Sequence, residues 1–468
     1  ISRNARFLRK HVVAPKDKNG GDTWIMCPRV HEERLKALYD HTTQENYTLR
    51  TDLSVSSFME HEQAFGRLFP DVAKAPKLER HAPPYAYMLP KDKDPANKGR
   101  PVVSYYNHPN KTLLKASAQA FMWMLKEIDS KGLAQSFVQF NTSDFTKTVQ
   151  QKIATLCAKE PQGNLKAYLG DIKNMYTNIP HPALVEEIDW VLDLVKKLPE
   201  SQHGVAIKRK QNGKSGARWA TPQDQTPTMQ KLWKVISIDT MVAIMHHDIE
   251  NIFFTVGDTM IQQTLGIPMG SPCSPALAIA LCMHAEHRFL SHHPTPHKFV
   301  GFRYIDDLLV FYKDDTTPGN SATKQEITGI YPQPLELEEE DINNGTLRYL
   351  EHWIAFSANG DLGVQHYHKN SHRIREGKPP LKNVVDHSSF TPCGYQFGRI
   401  VGAMHRIVNS SIGHHNITQG CIVMLNELIH QMHFPKTLIK QAIQHMIATV
   451  PEHQSAWGAL AIYYTHSR

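Results

Sequence analysis

Cysteine is scarce, with six residues (27, 157, 273, 282, 393 and 421) in a chain of 468 and neither a Cys-x-x-Cys pair nor a Cys-His grouping at zinc-finger spacing. That pattern excludes a disulfide framework and a finger-type zinc module, and fits reduced thiols in an intracellular protein. Long apolar runs are missing too. The longest, Ala276 to Met283, has 8 residues, far short of the ~18 a membrane helix needs, so no spanning segment is expected. Internal repeats and low-complexity stretches are absent. With 41% hydrophobic and 21% charged residues, the chain has the composition of a globular protein of two to four subdomains. Lys plus Arg number 52 against 45 Asp plus Glu, a net +7, an excess that suits a polyanionic partner. The 28 histidines show no metal-ligand spacing and read as packed or solvated side chains.

Periodicity divides the chain. Arg3, Arg6, Arg9, Lys10, Lys16 and Lys18 make a basic N-terminal arm, able to track phosphates or simply to fray. Residues 29–69 read as helical, with Leu35, Leu38 and Tyr39 on one face and Phe58, Phe65 and Leu68 on a later helix. A proline-rich extended stretch from Pro76 to Pro101 follows, and helical spacing resumes at 111–128 and through Phe145, Val149, Ile153 and Leu156. Leu165, Ala167, Leu169 and Asp171 alternate on one face of an expected strand over 164–172. Pro182 suits the first turn of the next helix. Residues 199–227 are polar and read as a surface insertion, 228–250 as helix, and 266–275 as a loop opening a helix through Ala276 to His287. Two short strands are expected on either side of Asp306-Asp307, and the chain turns helical from Gly420 onward.

Asp306 and Asp307 lie between Phe299-Val300-Gly301-Phe302 and Leu308-Leu309-Val310-Phe311. Adjacent acids at the tip of a buried hairpin repel one another and resist desolvation, so the arrangement calls for a cation. A solvated turn has no need of four large apolar residues directly after it. Asp171, at the end of its own apolar strand, is the natural third oxygen ligand. Three hard oxygen donors favour Mg²⁺ or Mn²⁺, and a two-ion site suits in-line phosphoryl displacement.

These stretches resemble the reverse transcriptases. Tyr304-Ile305-Asp306-Asp307 is similar to their Tyr-x-Asp-Asp signature, Asp171-Ile-Lys-Asn-Met-Tyr-Thr-Asn-Ile-Pro180 to their first palm motif, and Gly266-Ile-Pro-Met-Gly270-Ser-Pro-Cys-Ser-Pro275 to the loop beneath template and nucleotide. The variety most resembled is the Penelope-like element reverse transcriptase. Lys16-Asp17-Lys18, Leu89-Pro90-Lys91 with Arg100-Pro101-Val102-Val103-Ser104, Phe253-Phe254 with Gln263-x-x-Gly266, and Leu347-Arg-Tyr-Leu350-Glu351 with Tyr367-x-Lys369 fit the same family in order over roughly residues 10–410. Glu351 stands where that family usually has Asp, and no Gly-Ile-Tyr endonuclease module is found.

The resemblance implies an α+β right-hand polymerase: N-terminal arm and helices over 1–70, fingers over 71–160, a palm on an antiparallel sheet over 161–370 with the insertion at 199–227, and a helical thumb over 371–468. It implies an RNA-directed DNA polymerase extending a DNA or RNA primer on an RNA template with deoxynucleoside triphosphates, without a membrane, in a possible ribonucleoprotein, and nuclear by analogy. Asp171, Asp306 and Asp307 would hold two Mg²⁺ ions, or Mn²⁺, helped by the carbonyl of Ile172. Lys91, Lys93, Arg100, Tyr176, Met269 and Gly270 would contact the nucleotide, with Tyr176 excluding a 2′-hydroxyl. Ser271, Pro272, Tyr304 and Lys369 would contact template or primer. Lys313 and Lys324 are two candidates for protonating pyrophosphate. An RNA-dependent RNA polymerase and a non-catalytic nucleic-acid-binding subunit are the alternative readings.

Overall fold

A computed structural model describes residues 12, 25–40, 42–73, 80–91, 98–209, 216–314, 322–371, 386–389 and 392–466. The basic arm, Lys16-Asp17-Lys18 and Lys93 lie outside these residues. In chain order the strands are β1 (Tyr47–Leu49), β2 (Tyr85–Pro90), β3 (Gly99–Ser104), β4 (Asn164–Ile172), β5 (Val205–Lys208), β6 (Ala217–Trp219), β7 (Trp233–Ile236) and β8 (Phe253–Val256). They continue as β9 (Thr259–Gln263), β10 (Phe299–Tyr304), β11 (Asp307–Asp314), β12 (Leu337–Glu339), β13 (Thr346–Tyr349), β14 (His352–Phe356) and β15 (Leu362–His366).

The central sheet has the order β10-β11-β4-β12, antiparallel throughout. Strands β10, β11 and β4 carry apolar side chains on both faces, and alternation sends successive side chains to two different cores. Tyr168, Ile172, Leu308, Val310 and Tyr312 pack into the main core against helices Lys111–Ser130, His181–Val195 and Ser274–His292. Leu165, Leu169, Leu309 and Phe311 pack on the other face, against helix Asp144–Lys159 and the sheet β13-β14-β15. Phe145, Phe302 and Phe311 are fully buried there, each contributing ~1.5–3 kcal/mol of transfer free energy. A second sheet, β1-β9-β8-β2-β3, lies against the main core. The C-terminal helices Cys393–Asn409, His414–His430, Lys436–Thr449 and Gln454–His466 close around their own core, centred on Trp457, Leu425 and Met446.

Several local expectations change. Residues 29–69 are two helices, Pro28–Leu38 and Val55–Gly66, separated by β1, and Leu68 is 69% exposed rather than on a buried face. The 199–227 segment is not merely a surface insertion. With β7 it forms the sheet β6-β5-β7, whose Val205 and Ile207 are buried in the main core and whose Trp219 packs edge-on against Trp123 at 4.7 Å. Residues 228–250 are not one helix: a single helical turn, Pro227–Gln230, is followed by β7 and then by helix Ile238–Glu250, capped by the Ser237 side chain, which accepts from the Thr240 N–H. In the C-terminal part helix Cys393–Asn409 precedes Gly420, which lies inside the next helix, His414–His430. No helix among the described residues is long and apolar enough to cross a membrane.

Candidate active site

The register of the central sheet brings the acids together. Asp307 pairs with Asp171 across β11 and β4, Tyr304 with Asp307 across β10 and β11, and Glu338 with Asp171 across β12 and β4. Directly opposed residues of antiparallel strands share a face with Cβ atoms about 4.5–5.5 Å apart. Tyr304, Asp307, Asp171 and Glu338 therefore form one row across four strands. Asp306 stands beside it in the two-residue turn Ile305-Asp306 that closes the β10–β11 hairpin. Ile305 has φ 60°, a left-handed conformation that strains a β-branched residue. The turn is tied to β4 where the Ile172 N–H donates to the Asp306 carbonyl at 3.0 Å.

Electrostatics follow from this crowding. Burial, then Asp306, Glu340 and Glu338, push the Asp171 carboxyl up to about 6, with Lys91 opposing. Burial, then Asp306, Asp171 and Glu340, push Asp307 up to about 7, with Arg348 opposing. Among the described residues no hydrogen bond or ion pair holds the carboxylate of Asp171 or Asp307. The carboxylates of Asp171 and Asp307, hard oxygen donors that repel one another and are crowded by Asp306, have the chemistry of a divalent-ion site. Asp171, Asp306 and Asp307 are the residues that could hold such ions. Ile172 ends β4 with its side chain buried.

The loop after β9 wraps the same end of the sheet. Ile267 N–H donates to the Tyr176 carbonyl at 2.6 Å and Gly266 N–H to that of Ile179 at 2.8 Å. His181 Nε2 lies 2.7 Å from the Gly266 carbonyl. Tyr176 is half-buried, its hydroxyl held protonated first by burial and then by Asp306. Gly270 has φ 147°, and a Cβ there would lie 1.9 Å from the Val103 carbonyl oxygen. The Val103 N–H donates to the Met269 carbonyl at 3.1 Å, so this glycine is required by close packing of the loop on β3. Met269 and Pro272 are half-buried and Gly270 exposed. Ser271 is buried, 3% exposed, and its hydroxyl donates to Asp248 Oδ2 at 2.8 Å while accepting from the Cys273 N–H at 3.2 Å.

Lys91, exposed at the end of β2, influences Asp171 across the site. Arg100 lies on β3 with its Nε buried and, among the described residues, without a hydrogen-bond partner. Lys369 is exposed beyond β15. Lys313 is on β11 six residues past Asp307, about 20 Å away at ~3.4 Å per residue, and its Nζ donates to the Gly163 carbonyl. It is too distant to serve the acids. Sequence reasoning missed Glu338, Glu340, Arg348, Asp248 and Arg303; the run Glu338-Glu339-Glu340 and the lone cation in Phe299–Tyr304 were the available signals. His61, Glu62 and His247 also cluster, but Glu62 already accepts from Asn110 and pairs with His247 at 2.8 Å, and His247 stacks on Phe65 at 3.5 Å, which is a packed polar core.

No protein-family model matches the chain, and no curated protein matches it. Solved structures do. Telomerase from Candida albicans, in complex with a TWJ fragment of telomeric RNA, superposes with a TM-score of 0.58 at 9% identity, over 97% of this chain and 69% of that one. Apo telomerase from Candida tropicalis gives 0.56 at 11% identity, over 96% and 67%. The Candida tropicalis enzyme with its TWJ RNA fragment gives 0.51 at 12%, over 94% and 61%. Likeness at such identities is likeness of fold, and the fold of this chain is that of a reverse-transcriptase-like polymerase.

Proposed function

We propose that the chain is an RNA-directed DNA polymerase of the Penelope-like kind, extending a primer on an RNA template. The observation that carries this reading is the cross-strand row of Asp307 and Asp171 with Asp306 in the adjoining turn. In this reading 71–160 serves as fingers, 161–370 as palm and 371–468 as thumb. Bound Mg²⁺ or Mn²⁺ would activate the primer 3′ oxygen and neutralise charge on the leaving pyrophosphate. Asp171, Asp306 and Asp307 would hold the ions there. The 3′ oxygen attacks the α-phosphorus, the phosphodiester bond forms with loss of the hydroxyl proton, and the α–β anhydride bond breaks to release pyrophosphate. Lys91 and Arg100, at the end of β2 and on β3, supply cationic donors to the triphosphate. Tyr176, whose hydroxyl feels the charge of Asp306, presents its ring to the sugar and disfavours a 2′-hydroxyl. The fold shared with telomerases solved with RNA supports an RNA template.

The test is extension of a primed RNA template with deoxy- or ribonucleotides by the wild type and Asp306→Ala. Deoxynucleotide incorporation that is lost in the variant is the expected result. Ribonucleotide preference would make the chain an RNA polymerase, and inactivity of both proteins would make it a non-catalytic relative.

A further inference from the structure

Directly beneath the strained hairpin lies an ion pair that solvent does not reach. Arg303 and Glu286 are each 0% exposed. Arg303 Nε donates to Glu286 Oε1, and Nη2 reaches Oε2 at 3.4 Å. Two further donors fix the same carboxylate: the Tyr331 hydroxyl at 2.8 Å on Oε1 and the Phe137 N–H at 2.9 Å on Oε2. The remaining guanidinium arm, Nη1, donates to the Ile305 carbonyl at 3.0 Å.

Desolvating such a pair costs several kcal/mol per ion, and apolar residues of similar volume are often as stabilising. Stability therefore does not explain its presence. What an apolar pair could not do is hold the carbonyl of Ile305, the residue whose φ of 60° sets the turn. Glu286 belongs to helix Ser274–His292, which begins where the Gly266–Cys273 loop ends. One rigid helix thus carries the loop at its start and the clamp in its middle.

We propose that Arg303, Glu286 and Tyr331 are positioning residues that fix the Ile305-Asp306 turn and so set the approach of Asp306 and Asp307 to Asp171. This rests on the polymerase reading above. The cluster touches no substrate; it acts through the backbone of the turn, so its loss raises the divalent-ion requirement without weakening the grip on primer and template.

The experiment compares the full-length wild type with the Arg303→Met/Glu286→Leu double variant and with Tyr331→Phe, which removes only one hydrogen bond. Thermal unfolding, primer–template affinity, and the Mg²⁺ dependence of single-nucleotide extension are read for each. The double variant, which leaves the Tyr331 hydroxyl and the Phe137 N–H without their acceptor, is expected to unfold somewhat below the wild-type temperature while remaining folded at the assay temperature, and to bind primer–template as tightly. Its extension should be slower by about 10- to 100-fold, the scale of a small misplacement of reacting groups, with a higher Mg²⁺ midpoint. Tyr331→Phe should shift that midpoint the same way but less. A folded double variant with the wild-type rate and midpoint overturns the proposal. If the double variant does not fold, an unchanged midpoint in folded Tyr331→Phe overturns it instead. A wild type that binds Mn²⁺ but does not polymerise refutes the enzymatic reading alone, and Mn²⁺ affinity in the same variants then decides the positioning role, unchanged affinity counting against it.

Discussion

Replacing Asp307 with Asn removes a carboxylate that its surroundings penalise. Burial and three neighbouring acids raise it from 3.8 to about 7, so the folded protein holds a proton there more tightly than the unfolded chain. Linkage then gives a contribution that favours folding at low pH and is lost as pH rises through about 7. At ~1.36 kcal/mol per pH unit, the displacement from 3.8 to about 7 bounds the penalty at about 4 kcal/mol. Solvent screening of the half-buried group leaves an expected gain of about 1–3 kcal/mol for Asp307→Asn at pH 8, a rise in Tm of a few degrees. At pH 5 the gain should shrink, because wild-type Asp307 is then protonated in the folded state. Mg²⁺ should raise the wild-type Tm by mass action and raise that of the variant much less. Differential scanning calorimetry at pH 5 and 8, with EDTA or Mg²⁺, reads all four conditions. An Asn variant less stable than wild type at pH 8, or a difference independent of pH, would refute the electrostatic reasoning.

Other consequences follow from single positions. Gly270→Ala drives a Cβ into the Val103 carbonyl and should cost about 1–3 kcal/mol together with extension activity. Gly257→Ala, also at positive φ but with nothing within 4 Å, should spare activity; equal losses in urea unfolding and primer extension would contradict the packing argument. Trp457→Ala empties the centre of the C-terminal helical core, where the indole N–H donates to the Val450 carbonyl at 2.8 Å. It should lower unfolding free energy by about 3–5 kcal/mol, measured by helical circular dichroism in denaturant. Burial lowers His108 and His352 to about 4, so the unfolded chain takes these protons first as pH falls. Their contribution is complete above 6.5 and is lost toward pH 4, and His352→Gln should flatten that acid limb of the Tm profile.

Much of the site was legible in residue order because two physical signals coincide there. Period-two alternation in 164–172 placed Asp171 on the same face as Leu165 and Leu169, and the structure keeps that face. Apolar flanks marked Asp306-Asp307 as a buried hairpin, and β10 and β11 form it. What could not be read was register. Nothing local in Glu338 says that it pairs with Asp171, since that contact is made by strands more than 160 residues apart. The 199–227 segment misled because its polar composition hides three apolar positions, Val205, Ala206 and Ile207, that become buried only when β7 and helix Lys111–Ser130 supply the covering surface. Gly270 was expected among the nucleotide contacts; its close packing on β3 is non-local and could be read only from the fold. Arg303 was passed over among apolar neighbours, although a cation inside such a strand demands a buried partner.

The most direct measurement is Mn²⁺ binding to the full chain by electron paramagnetic resonance, comparing wild type with Asp171→Asn and Asp307→Asn. The account predicts ions bound by the wild type, displaced by Mg²⁺, and lost or sharply weakened in both variants. Equal binding by all three proteins would contradict it.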